Sequence, residues 1–359
     1  MGALSSLDAT PRGNRIHIVF CGLRNAGKST LVNAFTNSDL AIVSDVPGTT
    51  TDPVSKAMEI LPLGPCVVTD TAGLDDEGEL GGMRVRKTLD AIKTADLAVW
   101  VGEGLDAWRD RIKVPIFEYR RGDSVDELKS RIAAFKLDSG TPGLLDGLVG
   151  AGDTVLCICP IDESAPKSRL ILPQQQVIRE CLDRHASALV CQPEEVAPIC
   201  AKTAFTLAIT DSQAFGKVRA ALPPGVKLTS FSILFARQKG DLETYRRGLV
   251  AIRNLREGDL VLVAEGCTHR RECNDIGTVK IPRALERLAG KKLDFKFVSG
   301  ARFKLEGDPK LVVQCGGCML TRREVLARLD AAGVLGIPTV NYGMLLALAQ
   351  GVDVESAMV

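Results

Sequence analysis

The stretch RIHIVFCGLRNAGKSTLVNAF, residues 15–35, decides how the sequence around it is read. RIHIVFC is a short apolar run of strand type, and TLVNAF continues as a helix. Between them GLRNAGKS, residues 22–29, satisfies the P-loop pattern G-x-x-x-x-G-K-[ST] in its proper context, after a strand and opening a helix. Backbone amides of such a loop, together with the helix N-terminus, make a pocket for phosphate oxygens. Gly22, Asn25, Ala26, Gly27, Lys28, Ser29 and Thr30 are therefore the candidate nucleotide-binding residues. Lys28 can neutralise the β- and γ-phosphates, and the Ser29 hydroxyl can ligate magnesium.

Outward from the loop, PCVVTDTAG (65–73) reads as a strand ending in D-x-x-G. Asp70 can hold the magnesium shell, and the Gly73 amide can sense a γ-phosphate. Between the two motifs lies the polar loop VSDVPGTTTDPV (43–54), whose Thr49 or Thr50 can close over the metal. Lys28, Thr50, Asp70 and Gly73 are the candidate catalytic set, and Ser29, Thr50 and Asp70 the candidate magnesium ligands. DLAVWVG (96–102) is a further strand, preceded by the helical MRVRKTLDAIKTA (83–95). Strands alternating with helices predict a parallel sheet covered on both faces, a P-loop GTPase-like α/β domain over residues 1–136.

The block resembles the subgroup of GTPases that includes the tRNA-modifying GTPase MnmE and the Era-like proteins, through Asn25 and PGTTTD (47–52). That resemblance implies GTP and GDP as ligands with Mg2+, and a potassium ion held with help from Asn25. Leu74 stands where Ras-type enzymes carry a water-orienting glutamine, so slow, potassium-assisted hydrolysis is implied.

The base-reading tetrad Asn-Lys-x-Asp is absent, and only residues 102–115 separate Val101 from IFEYRRGDSVDELK (116–129). Either YRRGD is a degraded tetrad with Asp123 in the aspartate's place, or the stretch is the domain's last strand, loop and helix. The second alignment matches more positions, Pro115 to Glu118, Gly122 and Val125 to Leu128 among them. It predicts a domain missing one strand–helix unit and a weak or absent preference for GTP over ATP.

At 359 residues the chain has room for two or three domains. Charged residues make up 25% and hydrophobic ones 45%, with a net charge of +1, so no global basic field argues for nucleic acid or an anionic membrane. Residues 331–352 are uncharged, but Pro338, Asn341, Gln350 and several glycines interrupt them, which predicts a buried strand and core helix rather than a span. The N-terminus lacks a signal-peptide core and formally matches a myristoylation pattern through Gly2 and Ser6, with a disordered leader as the preferred reading. Eleven cysteines at irregular spacing predict reduced thiols and a cytoplasmic protein.

A glycine-rich link, 137–153, leads to a second α/β block over 144–235, with strands at TVLCICPID (154–162), SALVCQ (187–192), FTLAITD (205–211) and KLTSFSILF (227–235). Cys157, Cys159, Cys181, Cys191 and Cys200 read as core thiols there, and a dimerisation role is the expectation. A third α/β block, 236–359, carries Cys267-x-His269 after the strand DLVLVAEG (259–266) and Cys315-x-x-Cys318 after KLVVQ (310–314). Ligand sites in open α/β sheets collect beyond the carboxyl ends of strands, so the two groups can converge. From spacing alone, a Cys3His zinc site, an iron–sulfur cluster and plain structural thiols all remain open, with Cys273 as an extra candidate ligand.

Taken together, the three blocks resemble the HydF family, the maturation GTPases of FeFe-hydrogenase. Further matches are PIDESAPKSRLILPQ (160–174), EGCTHRRECNDIGTVKIPRAL (265–285) and IPTVNYGMLLALAQG (337–351). The resemblance implies a homodimer or higher oligomer formed through the middle domain. It implies a 4Fe–4S cluster on Cys267, Cys315 and Cys318, with a di-iron precursor beside it. The implied partners are the apo-hydrogenase and the radical-SAM maturases HydE and HydG, with no nucleic acid and no membrane. Where the family usually has histidine before C-x-x-C, this chain has Gln314, a poor iron ligand, which leaves His269 or water for the fourth site. The competing reading is a zinc-binding regulatory GTPase of the tRNA-modification or ribosome-assembly type.

Overall fold

The computed structural model describes residues 10–36, 44–46, 53–135, 141–161, 170–266, 275–300 and 303–359. The chain divides into two compact units, 1–140 and 141–359. The first contains β1 (Ile16–Cys21), α1 (Lys28–Thr36), β2 (Ser44–Val46), β3 (Val54–Ile60) and β4 (Gly64–Asp70), then α2 (Gly78–Thr94), β5 (Leu97–Val101), β6 (Ile116–Tyr119) and α3 (Val125–Ala134). Its six strands run β2-β3-β4-β1-β5-β6. β1, β4, β5 and β6 are parallel, as the alternating pattern predicts. β2, β3 and β4 form an antiparallel edge, which the sequence reading did not anticipate. VSKAMEI buries the adjacent Ala57 and Met58 and exposes Val54, so it lacks the two-residue alternation that marks a half-buried strand.

Helices cover both faces. Ile18, Phe20, Val68, Val99 and Phe117 pack with Phe35 of α1 and with Leu128 and Ile132 of α3. Val19, Cys21, Ala98 and Trp100 face the other way, against Ile92 of α2 and Leu105. The strand IFEY lies in parallel register beside β5, from Ala98↔Ile116 to Val101↔Tyr119. Residues 102–115 hold two short 3-10 turns, Leu105–Ala107 and Arg109–Arg111, in place of a helix and strand. Among the described residues, this sheet ends at β6.

The second unit carries two four-stranded parallel sheets. The first comprises β7 (Thr154–Ile158), α4 (Leu172–Asp183), β8 (Ser187–Cys191), α5 (Val196–Cys200), β9 (Leu207–Thr210), α6 (Phe215–Ala221) and β10 (Leu228–Ser230), in the order β10-β9-β7-β8. KLTSFSILF is not a strand throughout: it turns helical at Phe231, giving α7 (Phe231–Lys239), with the Ser230 hydroxyl capping Ile233 N–H. Apolar Leu228, Phe231, Ile233, Leu234 and Phe235, mixed with Thr229, Ser230 and Ser232, suit a short buried helix as well as a strand, so the sequence pattern does not separate them.

The last sheet, in the order β12-β11-β13-β14, contains β11 (Leu260–Ala264), β12 (Asp294–Val298), β13 (Leu311–Gln314) and β14 (Thr339–Asn341). Its helices are α8 (Leu242–Ala251), α9 (Ile281–Ala289), α10 (Arg322–Val334), α11 (Tyr342–Ala349) and the short α12 (Val354–Ala357). The two sheets of this unit share a core. Ile233, Ala236, Tyr245, Leu329, Met344 and Ala347 lie in one apolar cluster with Leu156 and Phe215. Residues 331–352 become the end of α10, a buried strand and the core helix α11, and no helix among the described residues is long and apolar enough to cross a membrane.

Candidate functional site

The strand β1 delivers the P-loop and α1 begins at its lysine, so the phosphate cradle is fixed by the sheet. Gly22 takes φ +151° in a place where a Cβ would lie 2.4 Å from the Val101 carbonyl oxygen. Asn25 adopts the left-handed φ of 58°, and Gly27 one of 90°. The Lys28 ammonium is buried and donates to the carbonyls of Leu23 (2.7 Å) and Gly22 (3.4 Å). Burial pushes its pKa down, against the opposing charges of Asp70, Asp75 and Asp76. Among the described residues its hydrogen bonds go to neutral carbonyls, and a desolvated cation so placed can take an anionic ligand.

Ser29 and Asp70 meet: the hydroxyl donates to Asp70 Oδ2 at 2.5 Å. Asp70 Oδ1 is buried and, among the described residues, has no hydrogen-bond partner. An orphaned carboxylate oxygen beside a serine hydroxyl is the donor set a hard divalent cation takes, so the residues fit Mg2+. Bound there, the ion would neutralise phosphate charge. The Gly73 segment is pressed onto the P-loop. A Cβ on Gly73 would sit 2.8 Å from the Arg24 nitrogen, Leu74 N–H donates to Gly22 O (3.2 Å), and Arg24 N–H donates to Asp75 Oδ1 (2.5 Å). Beside this junction is a cavity of about 380 Å3 whose lining includes Arg24, Asp70, Gly73, Asp76, Arg84 and Lys87. Asp75 was not singled out from the sequence, because nothing in its spacing marks it as the clasp. Thr49 and Thr50 lie outside the described residues.

In the second unit, Cys315 and Cys318 follow β13 on a loop through Gly316 and Gly317. The Gly266 amide, just beyond β11, donates to Cys315 Sγ at 3.1 Å. Two adjacent strand ends are thereby drawn together, and the next residue in the chain after Gly266 is Cys267. Cys267, His269 and Cys273 themselves lie outside the described residues, and among the described ones no group of three metal-binding side chains assembles. Burial raises both thiols' pKa values, that of Cys318 to about 11, while amides of Gly266 and Gly317 pull Cys315 back down. Amide donors at sulfur stabilise thiolate, and the glycine at 317 takes φ +68°, so the loop's chemistry fits a thiolate-held iron–sulfur group. Such a group would supply redox-active iron beside the strand ends.

Lys239, the last residue of α7, reaches under this loop. Its buried ammonium donates to the carbonyls of Leu320 (2.7 Å), Gly317 (3.2 Å) and Cys318 (3.4 Å). The sequence pattern did not mark it, since 227–235 reads as a strand and a lysine just beyond it carries no burial signal. Gln314 shares a sheet face with Val312, which packs with Ala332 of α10, whereas Cys315 packs with Val313 on the other face. Gln314 is 1% exposed, and neither atom of its amide has a partner among the described residues.

The fold and these two centres define a class: a P-loop GTPase-type α/β domain followed by two parallel α/β sheets, the last ending in a cysteine loop. Family comparison matches residues 17–132 to the family described as 50S ribosome-binding GTPase, 144–240 to the hydrogen maturase F dimerization domain, and 243–358 to the hydrogen maturase F tetramerization domain. The chain belongs to the hydrogen maturase F (HydF) family. Its two oligomerization domains support a homo-oligomer.

Among curated relatives, the tRNA modification GTPase MnmE of Methylorubrum populi is 36% identical over 152 residues, which are 39% of this chain and 31% of that protein. MnmE of Zymomonas mobilis is 31% identical over 183 residues, 48% of this chain and 40% of that protein. The chain thus spans well under half the length of either. Among solved structures, Era of Aquifex aeolicus bound to GDP.AlF4- aligns at TM-score 0.23 with 15% identity, covering 79% of this chain and 92% of that one. The G domain of the T. maritima FeoB iron transporter aligns at TM-score 0.23 with 19% identity, over 33% of this chain and 97% of that one.

Proposed function

We propose that this HydF-family protein is a scaffold and carrier in the maturation of the FeFe-hydrogenase active-site cluster. In this reading Cys267, Cys315 and Cys318 hold a 4Fe–4S cluster, and a di-iron precursor binds next to it for transfer to the apo-hydrogenase. The radical-SAM maturases HydE and HydG supply the precursor. His269 or water takes the fourth iron site, since a neutral amide such as Gln314 is a poor iron ligand. The observation that carries the reading is the hydrogen bond from Gly266 N–H to Cys315 Sγ. It ties the segment entering Cys267 to the C-x-x-C loop in a chain with both HydF oligomerization domains.

The P-loop unit, with Lys28 on phosphate and Ser29 and Asp70 on Mg2+, binds GTP or GDP, and its hydrolysis tunes exchange of partners rather than the cluster chemistry. Thr49 or Thr50 is the residue that would close over the metal, with Thr50 as the magnesium ligand, and Asn25 helps hold a potassium ion. Anaerobic reconstitution with iron and sulfide is expected to load about four irons per chain as one reducible cubane cluster. Cys315→Ser or Cys318→Ser should abolish its signal. Stoichiometric zinc with no uptake of iron would overturn the assignment and favour a zinc-stabilised regulatory GTPase.

A further inference from the structure

The strand β6 stands beside β5 with nothing beyond it among the described residues. In a complete domain of this class, the strand next to β5 is the one whose end carries the base-reading Asn-Lys-x-Asp. Here that place is taken by Tyr119, and the loop that follows is Arg120-Arg121-Gly122-Asp123. The sequence alignment makes IFEY the domain's last strand, while the sheet puts its exit loop in the base reader's position. Both hold at once, because loss of one strand–helix unit lets the last strand close onto β5.

Asp123 is therefore the carboxylate nearest in place to a guanine reader, and its chemistry is already committed. Its Oδ2 accepts from its own loop's Arg120 N–H at 2.7 Å. Its carbonyl accepts from Tyr119 OH at 2.9 Å, and its N–H donates to the Arg120 carbonyl at 3.0 Å. Reading guanine takes both carboxylate oxygens, one for N1–H and one for the exocyclic amine. A carboxylate with one oxygen already bound to its own loop's backbone is held in the turn's geometry rather than left free to turn both oxygens to a base. The loop's cations add no guanine code: Arg120 leans toward Glu118 (3.8 Å), which also pairs with Arg109 (2.7 Å). The chain leaving β5 meanwhile packs onto the P-loop. A Cβ at Gly104 would lie 2.9 Å from Leu23 Cδ1, and one at Gly102 3.3 Å from Ala26 Cβ. The described part of the phosphate cradle is in place, while the loop in the base reader's position is a solvent-facing turn.

We propose that this nucleotide site selects for the polyphosphate and not for guanine, accepting guanine and adenine nucleoside di- and triphosphates with comparable affinity. The inference rests on the phosphate-binding reading of Lys28, Ser29 and Asp70, and is independent of the cluster assignment. Asp123 acts as the turn's staple, a positioning residue that does not touch the base.

The test uses the full chain with Mg2+ and labelled GDP, displaced by unlabelled GDP, ADP and xanthosine diphosphate. ADP is expected to compete within about tenfold of GDP, where loss of one bidentate base contact removes most discrimination. Asp123→Asn distinguishes the roles. An asparagine oxygen can still accept from Arg120 N–H and keep the turn, whereas at a true guanine-reading position its amide would donate to the xanthine C2 carbonyl. The three competition curves should keep their order in Asp123→Asn. A hundredfold preference for GDP in the wild type, or a gain of xanthosine diphosphate binding in the variant, would overturn the proposal. Failure of the wild type to bind any nucleotide would also overturn it, and would leave iron loading untouched. Lys28→Ala serves as the control that abolishes binding at the P-loop.

Discussion

A Cβ at Gly22, in the P-loop, would lie 2.4 Å from Val101 O at the end of β5, and one at Gly73 would lie 2.8 Å from Arg24 N of the P-loop, so neither position has room for a side chain. Gly73→Ala must push the segment after β4 away from the P-loop, breaking the Leu74–Gly22 and Arg24–Asp75 contacts. The expected cost is about 1–3 kcal/mol of stability in the first unit, typical of overpacking against backbone. Weaker nucleotide binding should accompany it. Denaturant titration and nucleotide titration of the variant check this, and wild-type values in both would show that the junction yields freely. At this scale the sequence was most informative where chemistry demands one residue type at one spacing. Lys28, Ser29 and Asp70 were legible from the motifs, and the structure joins the latter two directly. Asp75 and Lys239 were not, because a carboxylate clasping a backbone amide and a lysine gathering carbonyls depend on which chain segments approach, not on local spacing.

Elements show the same division. Helices α2, α4, α6, α9, α10 and α11 and the strands of the two C-terminal sheets fall where the apolar periods put them. The antiparallel edge β2-β3-β4 and the switch to helix at Phe231 did not, the first because VSKAMEI lacks a two-residue alternation and the second because its mixed residues suit helix and strand alike. That helix matters to the cysteine loop. Its terminal Lys239 satisfies three carbonyls of the segment 317–320, which then enters α10 through the Thr321 capping box. Lys239→Met keeps the stem's volume and strands those carbonyls. The expected loss is about 1–3 kcal/mol, the usual cost of leaving buried polar groups unmade. Chemical unfolding should show it, along with faster loss of iron from the reconstituted protein to a chelator. An unchanged midpoint and unchanged iron retention would mean the loop holds its shape without the lysine.

Across the whole molecule, the cysteine pattern predicts reduced thiols, with Cys157, Cys159, Cys181, Cys191 and Cys200 in the core; the nine described cysteines are all free and six are buried, Cys200 being only partly so. Burial sets their acidity: Cys21, Cys66 and Cys159 are pushed up to about 12, Cys181 and Cys191 to about 11, and Cys157 higher still. In the unfolded chain a thiol titrates near the ordinary value of 9.0. Between that value and the folded pKa, the native state binds more protons than the unfolded one. The thiols' contribution is therefore complete below about pH 9 and is lost as pH rises toward 11 and 12. Each thiol held protonated costs about 1.4 kcal/mol per pH unit in that window. Lys239 runs the opposite way: burial lowers it from 10.5 to about 8, so its penalty is relieved as pH rises between those values. One lysine against seven raised thiols in the 141–359 unit leaves the sign with the thiols. Thermal melts under reducing conditions should thus be nearly flat from pH 7 to 8.5 and fall steeply between 9 and 12. In the first unit, Cys66→Val should shallow that alkaline decline and leave the neutral-pH nucleotide titration in place. A melt that stays flat to pH 11 would show that the buried thiols ionise without opening the core.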